Sequence, residues 1–175
     1  MSSNLEKTDA CQSCEFQENL NLIRQVAFFS HLPIDTLKVL AYLCNRETFK
    51  PGETIFQQKE DDGQALVIIS GTADLVREDG EGSTNIRTYT AGDFLGGLSL
   101  TAEMPRLFTL RAQTAIVCLI LQREKFTKAM KQFPELAPKI FKAMAERIRS
   151  WERKYLAEHA KSCDTCIKAA GASIL

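Results

Sequence analysis

Histidine is almost missing from this chain of 175 residues, which contains only His31 and His159. Enzymes that hold a catalytic metal inside a β-barrel use clustered histidines with a carboxylate, and both histidines fall in helical flanks instead. No serine–histidine–aspartate, cysteine–histidine or paired-carboxylate pattern is evident in the sequence. The sequence therefore predicts a protein that is not an enzyme, with His31 at a helix cap or on the surface.

The chain also lacks an excess of charge and a long apolar run. Its 22 basic residues balance 22 acidic residues, whereas proteins that bind nucleic acid usually carry a basic excess. No apolar run reaches the roughly 18 residues of a membrane-spanning helix, and the polar first residues contain no signal-peptide core. These absences predict no nucleic-acid partner, no membrane association and a cytoplasmic location, where thiols stay reduced.

Hydrophobic periodicity divides the chain into a β-rich centre and helical flanks. Apolar residues fall at helical spacing over 15–29 and 33–44. Between 46 and 122, short alternating or buried runs are separated by glycine-rich turns, which is typical of antiparallel strands. Helical periodicity returns from Arg123. The predicted fold is α+β, an antiparallel β-roll or jelly-roll barrel flanked by N-terminal helices, a short helix and a long C-terminal helix.

The pattern predicts a flexible segment over 1–14, a domain over 15–133, a long helix over 134–166 and a tail over 167–175. At 1.5 Å per residue, the predicted helix would be about 50 Å long, too long to be buried on one small barrel. We expect its distal half to pair with a second copy as in a coiled coil. The alternative is that the helix packs on its own barrel. The apolar stripe consists of Leu136, Ile140, Met144, Ile148, Trp151 and Tyr155.

A candidate binding site lies in the stretch GDFLGGLSLTAEMPRLF at 92–108. Glycines let the backbone approach a ligand closely, and free amides at a helix start, aided by the helix dipole, bind anions. Arginine adds a planar fork that is always charged. The predicted ligand-binding residues are Gly96, Gly97, Leu98, Ser99, Arg106, Leu107 and Phe108.

The element order and this stretch resemble the cyclic-nucleotide-binding domain of the catabolite-activator and protein-kinase-A-regulatory-subunit superfamily. The resemblance covers about residues 20–160. Gly92 and Asp93 match the opening of the family's phosphate-binding cassette, Gly96 matches its glycine, and Pro105 and Arg106 match the Pro-Arg that carries the phosphate-binding arginine.

The resemblance implies a regulatory sensor of a small anionic ligand, either cAMP, cGMP or another nucleotide, acting on a protein partner that the sequence does not specify. In that superfamily, activators carry a helix-turn-helix domain after the long helix. Only the predicted tail over 167–175 follows the helix here, and this is too short for such a domain. We therefore expect no DNA binding by this chain.

The stretch departs from the family pattern at Gly97, where the family has a glutamate that accepts a hydrogen bond from the ribose 2′-hydroxyl. Losing this charged acceptor costs about 1.5–3 kcal/mol, roughly 10- to 150-fold in affinity. Leu107 and Phe108 replace small residues, and Phe108 either stacks under a base or fills its space. The alternative is a degenerate pocket in which Arg106 is solvated or pairs with an acid such as Glu103, leaving an interaction and dimerisation module.

Two Cys-x-x-Cys pairs lie near opposite ends of the chain, which has six cysteines. Four thiolates are sufficient for a tetrahedral zinc site or an iron–sulfur cluster. Three states stay open: exposed unliganded thiols, a metal or redox sensor, and a disulfide switch. Cys44 and Cys118 lie in apolar runs and are expected to be small core residues. The candidate metal ligands are Cys11, Cys14, Cys163 and Cys166.

Overall fold

The computed structural model describes residues 3–80 and 82–159, with side chains described from Cys14 onward. It confirms the α+β class, with a central β-sandwich and helices at both ends of the described chain. Three short 3₁₀-helices occupy Ala27–Phe29, Gly97–Leu100 and Pro134–Leu136. The other elements are α1 (Ser3–Gln25), α2 (Ile34–Leu43), β1 (Asn45–Phe49), β2 (Thr54–Phe56), β3 (Gln64–Ser70), β4 (Ala73–Asp79), β5 (Gly82–Tyr89), β6 (Phe94–Leu95), β7 (Thr109–Ala112), β8 (Ile116–Gln122), α3 (Arg123–Gln132) and α4 (Ala137–His159).

The strands form two four-stranded antiparallel sheets, in the orders β1-β8-β3-β6 and β2-β7-β4-β5. The central strands β3 and β8 pair with Leu66 opposite Ile120. Because side chains alternate along a strand, Leu66 and Ile120 face the second sheet while Val67 and Leu119 face the helices. Both faces of this sheet are therefore buried, which explains the continuous apolar runs of β3 and β8.

The apolar stripe of the C-terminal helix separates into two parts. Leu136 and Ile140 are buried against the barrel, at 0% and 4% exposure. Further along α4, Ile148 is 47% exposed and Trp151 58% exposed. Within the described residues, the distal half of α4 thus leaves large apolar side chains outside the core of its own barrel.

The structure corrects two predicted helix boundaries. The first helix begins at Ser3, not at residue 15, so the segment expected to be flexible is helical from Ser3 onward. The segment is mostly polar and has no apolar stripe, so hydrophobic periodicity does not detect this part of the helix. The long helix does not start at Pro134: a 3₁₀-turn comes first, because Pro138 lacks the N–H that an α-helical bond to the Pro134 carbonyl requires.

Candidate anion-binding site

Gly96 positions the candidate site at the end of β6. Its φ is +79°, which favours glycine, and it directly precedes the 3₁₀-helix Gly97–Leu100. A Cβ at Gly96 would lie 2.4 Å from the Gln64 carbonyl oxygen and 2.8 Å from Nη1 of Arg106. The missing side chain thus lets the guanidinium of Arg106 stand against the start of the 3₁₀-helix.

Arg106 is fixed by both its backbone and its side chain. Its N–H donates to the Glu60 carbonyl at 2.9 Å, and its carbonyl accepts from the Lys59 N–H at 2.8 Å. Its Nη2 donates to Oδ1 of Asp62 at 2.7 Å and to the Gln64 carbonyl at 2.6 Å. The side chain is 8% exposed. The acid that pairs with Arg106 is therefore Asp62. It is not Glu103, the example given for a degenerate pocket.

The ring of Phe56 covers one face of the Arg106 guanidinium, with the ring centroid 4.1 Å from the guanidinium carbon. An arginine over an aromatic face gains from the ring's quadrupole. Phe56 and Asp62 could not be recognised as site residues from the sequence alone, because both lie about fifty positions before Arg106 in the chain. The acidic loop EDDG at 60–63 was the only available signal.

Asp61, next to Asp62 in sequence, pairs with a different arginine at the start of α3. Both terminal nitrogens of Arg123 bind the Asp61 carboxylate. The Arg123 hydrogen bond holds the pKa of the Asp61 carboxyl below its usual range, and the same bond raises the pKa of Arg123. Nε of Arg123 also donates to the Ser99 carbonyl at 2.6 Å. The acidic loop 60–63 thus connects three parts of the site, namely Arg106, the 3₁₀-helix Gly97–Leu100 and α3.

Gly97 faces aromatic rings. A Cβ at Gly97 would lie 2.9 Å from Cε1 of Phe94 and 3.3 Å from the ring of Phe28. Phe94 also contacts Phe29, with ring centroids 5.5 Å apart. A glutamate at position 97 would require these rings to move, so the packing around Gly97 suits a residue without a side chain.

Two cavities meet at Arg106. The larger, of about 440 Å³, lies between the cassette and α4. The smaller, of about 220 Å³, opens among the strands and is lined by Phe56, Leu75, Tyr89 and Phe108. Phe108 thus borders the smaller cavity. Both cavities are bordered by Gly96, Arg106, Leu107 and Arg147.

Arg147 of α4 is a second cation at the site that sequence analysis did not single out. It borders both cavities, and its side chain makes no ion pair or hydrogen bond with the side chains that the structure describes. The predicted site residues are also brought together, since Gly96, Gly97 and Leu98 line the larger cavity with Arg106. In the sequence, Arg147 is one of several basic residues on this helix, and nothing local distinguishes it from the others.

The sequence left three states open for the four paired cysteines. Cys14 is a free, exposed thiol. The side chain of Cys11 and all of Cys163 and Cys166 lie outside the described residues. Among the described side chains, no group of three or more histidine, cysteine or acidic residues could hold a metal. Zinc or an iron–sulfur cluster therefore has no support in the described part of the chain.

Of the other two cysteines, Cys118 is a core residue, as predicted for its apolar run, whereas Cys44 is only partly buried and packs against the core. Cys118 is fully buried, and burial raises the pKa of its thiol to about 12. Burial also raises the pKa of the Cys44 thiol to about 12, with a smaller opposing effect from Lys125. At neutral pH both thiols are protonated and unreactive.

His31 contacts the long helix. Its Nε2 lies 2.9 Å from Oε2 of Glu146 on α4, and this hydrogen bond lowers the pKa of the Glu146 carboxyl. The pair ties the turn after Phe29 to α4, close to where that helix leaves the barrel.

Comparison with known proteins identifies the family. The model of the cyclic nucleotide-binding domain family matches residues 46–133, about half of the chain. The chain belongs to this family, as the resemblance indicated.

Two curated relatives and one solved structure illustrate the match. The chain is 31% identical over 107 residues to the potassium channel AKT1 of Arabidopsis thaliana, covering 61% of this chain and 12% of the channel. It is 25% identical over 114 residues to the HTH-type transcriptional regulator Cmr of Mycobacterium tuberculosis, covering 65% of this chain and 47% of that protein. The match thus spans less than half the length of either relative.

The solved structure is the regulatory domain of Toxoplasma gondii PKA with cAMP. It has a TM-score of 0.61 at 22% identity, covering 73% of this chain and 49% of that chain. The likeness supports the fold. Separately, none of the helices in the described ranges is long and apolar enough to cross a membrane.

Proposed function

We propose that this chain is a non-catalytic ligand sensor that binds a cyclic nucleotide or a related anion, with the phosphate between Arg106 and the start of the Gly97–Leu100 helix. The observation that carries the proposal is the position of the Arg106 guanidinium against the bare backbone of Gly96. A short helix start offers free N–H groups and a partial positive charge, and Nη1 of Arg106, which Asp62 does not bind, adds a charged donor. Membership of the cyclic nucleotide-binding domain family supports the nucleotide.

The ligand is expected to act through α4. Arg147 borders both cavities beside Arg106, so a bound anion would attract the helix toward the cassette. Ser99 is tied to Arg123 of α3, which gives the cassette a second connection to the C-terminal helices. Ligand binding would then shift the population between two positions of α4.

We also propose that two copies pair through the exposed side of α4. Phe141 and Ile148, seven residues apart, are 68% and 47% exposed, and a seven-residue spacing places side chains on one helix face. We expect Phe141→Glu, which changes no residue of either cavity, to convert a dimer into a monomer in sedimentation-velocity runs, whereas Tyr42→Glu, at an exposed apolar position on α2, should leave it dimeric. A wild-type monomer would refute pairing.

Isothermal calorimetry with cyclic AMP, cyclic GMP and cyclic di-nucleotides tests the sensor function. We expect heat from at least one of them that is lost in Arg106→Ala. Arg77→Ala removes an arginine of an exposed ion pair on β4 and serves as the matched control with unchanged binding. If no nucleotide gives heat to the folded wild-type protein, a nucleotide is refuted as the ligand.

A further inference from the structure

We infer that the cavity between the cassette and α4 binds an amphipathic organic monoanion, in which one carboxylate or an equivalent singly charged group is attached to an apolar, aromatic-sized body. This inference rests on the proposed sensor function, because it names the ligand chemistry that the larger cavity selects.

The charge balance at the site favours a single negative charge. Arg106 and Arg147 both border the cavity, and Asp62 already accepts hydrogen bonds from Nε and Nη2 of Arg106. Among the described residues, no acidic side chain lines either cavity. Two guanidinium groups and one carboxylate leave one positive charge unmatched. A monoanion neutralises it, whereas a dianion would leave a charge that the cavity does not balance.

Apart from Ser99, the remaining wall of the larger cavity carries no polar side chain among the residues that the structure describes. Leu98, Met104 and Leu107 contribute from the cassette side, and Met144, Ile148 and Trp151 contribute from α4. Several of these side chains are largely exposed, with Leu107 at 77% and Trp151 at 58%. A ligand body placed between the two sides would remove this apolar surface from water, which is favourable in proportion to the area covered.

The cavity is poorly suited to a ribose. The position from which a carboxylate would read a ribose hydroxyl is Gly97, and the rings of Phe28 and Phe94 stand against it. A hydroxyl buried there without an acceptor loses its hydrogen bonds to water. A ring without hydroxyl groups loses no hydrogen bonds to water when it is buried there, and it gains contact with the aromatic rings. The wall chemistry therefore selects an apolar body over a sugar.

Trp151 gives a direct readout because it is the single tryptophan of the chain. The probe is 4-iodobenzoate, a monoanion whose iodine quenches an indole that it contacts, and its neutral match is 4-iodobenzamide. We expect 4-iodobenzoate to quench Trp151 fluorescence saturably and to bind at least about tenfold more tightly than the amide, the factor that a charged hydrogen bond supplies. Calorimetry on the same samples supplies the affinities.

Arg147→Gln should reduce the affinity for 4-iodobenzoate about tenfold and leave the amide unchanged. Arg149→Gln removes a neighbouring arginine of α4 that borders neither cavity, and should change neither. Circular dichroism checks that both variants fold. Equal affinity for acid and amide, an unchanged Arg147→Gln variant, or absence of quenching would each overturn the inference.

The proposed nucleotide-sensing function and the inferred ligand class can be refuted independently. Heat from a cyclic nucleotide that depends on Arg106, together with no Arg147-dependent binding of 4-iodobenzoate, would leave the sensor function intact and refute the apolar monoanion. Arg147-dependent binding of 4-iodobenzoate without heat from any nucleotide would refute the nucleotide and support the inferred ligand class.

Discussion

The Asp62 carboxylate accepts hydrogen bonds from two nitrogens of Arg106, with Nη2 at 2.7 Å and Nε at 3.1 Å from Oδ1. The two side chains are 18% and 8% exposed, respectively. A guanidinium this deeply buried needs a counter-charge when no ligand is bound. Asp62 supplies that charge and at the same time leaves Nη1 directed at Gly96.

Asp62→Asn should therefore lower the free energy of unfolding of the free protein and increase the stabilisation that a bound anion gives. Removing one partner of a buried ion pair costs about 3–5 kcal/mol, and we expect the low end because Asp62 is partly exposed. Chemical unfolding measures the loss, and thermal shifts with saturating cyclic AMP measure the ligand effect. Asp79→Asn, in an exposed pair with Arg77, should cost less than about 1 kcal/mol. Equal ligand-induced shifts in wild type and Asp62→Asn would contradict the reasoning.

Gly96→Ala tests the close approach of Arg106 to the backbone. Gly92 provides the control, because its φ is +89° and a Cβ there would contact nothing within 4 Å. Gly92→Ala should cost only the left-handed backbone strain of about 1–2 kcal/mol. We expect Gly96→Ala to cost more and to abolish anion binding, since its Cβ would collide with the Gln64 carbonyl and displace Arg106. Matching unfolding free energies for the two variants would show that the contact is unimportant.

Gly97→Glu tests whether the family's ribose acceptor can be restored. In the wild type, cyclic AMP and its 2′-deoxy analogue should bind equally, because no carboxylate at position 97 reads the hydroxyl. Gly97→Glu alone should overpack against Phe94 and lose about 1–3 kcal/mol of stability. Gly97→Glu with Phe94→Ala makes room, and only this double variant should prefer the ribose form in calorimetry. A preference in the single variant would refute the steric account.

The Asp61–Arg123 pair should make stability depend on acidic pH. The Arg123 hydrogen bond lowers the pKa of Asp61 in the folded protein, so the stabilisation is complete above the ordinary carboxyl pKa of about 3.9. It is lost as the pH falls through the lower folded value. The difference in unfolding free energy between wild type and Asp61→Asn should thus be constant near neutrality and shrink below about pH 4.

Asp35→Asn is the control for that pH series. Asp35 forms an ion pair with Lys38, and the Asp35 side chain is 86% exposed, so solvent screens the interaction. Its difference from wild type should stay small throughout the acid range. If the difference in unfolding free energy between wild type and Asp61→Asn stays constant in acid, the pair does not stabilise the folded state.

Much of the site could be predicted because it is local in sequence. The GDFLGG stretch and Pro105–Arg106 lie within seventeen residues, and the glycines specify backbone geometry that few other residues allow. The partners Asp62 and Phe56 could not be predicted, because an antiparallel pairing brings β2 beside β7 and the pattern of either strand alone does not fix that contact. Arg147 was missed for a similar reason, since its helix carries several basic residues that local spacing does not distinguish.

The sequence by itself determined the order of helices and strands, because hydrophobic periodicity is a property of neighbouring residues, and it determined the cassette, because its glycines and its arginine are close in the chain. Only the tertiary structure decided which acid neutralises Arg106, that aromatic rings stand against Gly97, and that α4 brings Arg147 to the same cavities. These contacts join residues far apart in the chain, and their distances depend on how sheets and helices pack together.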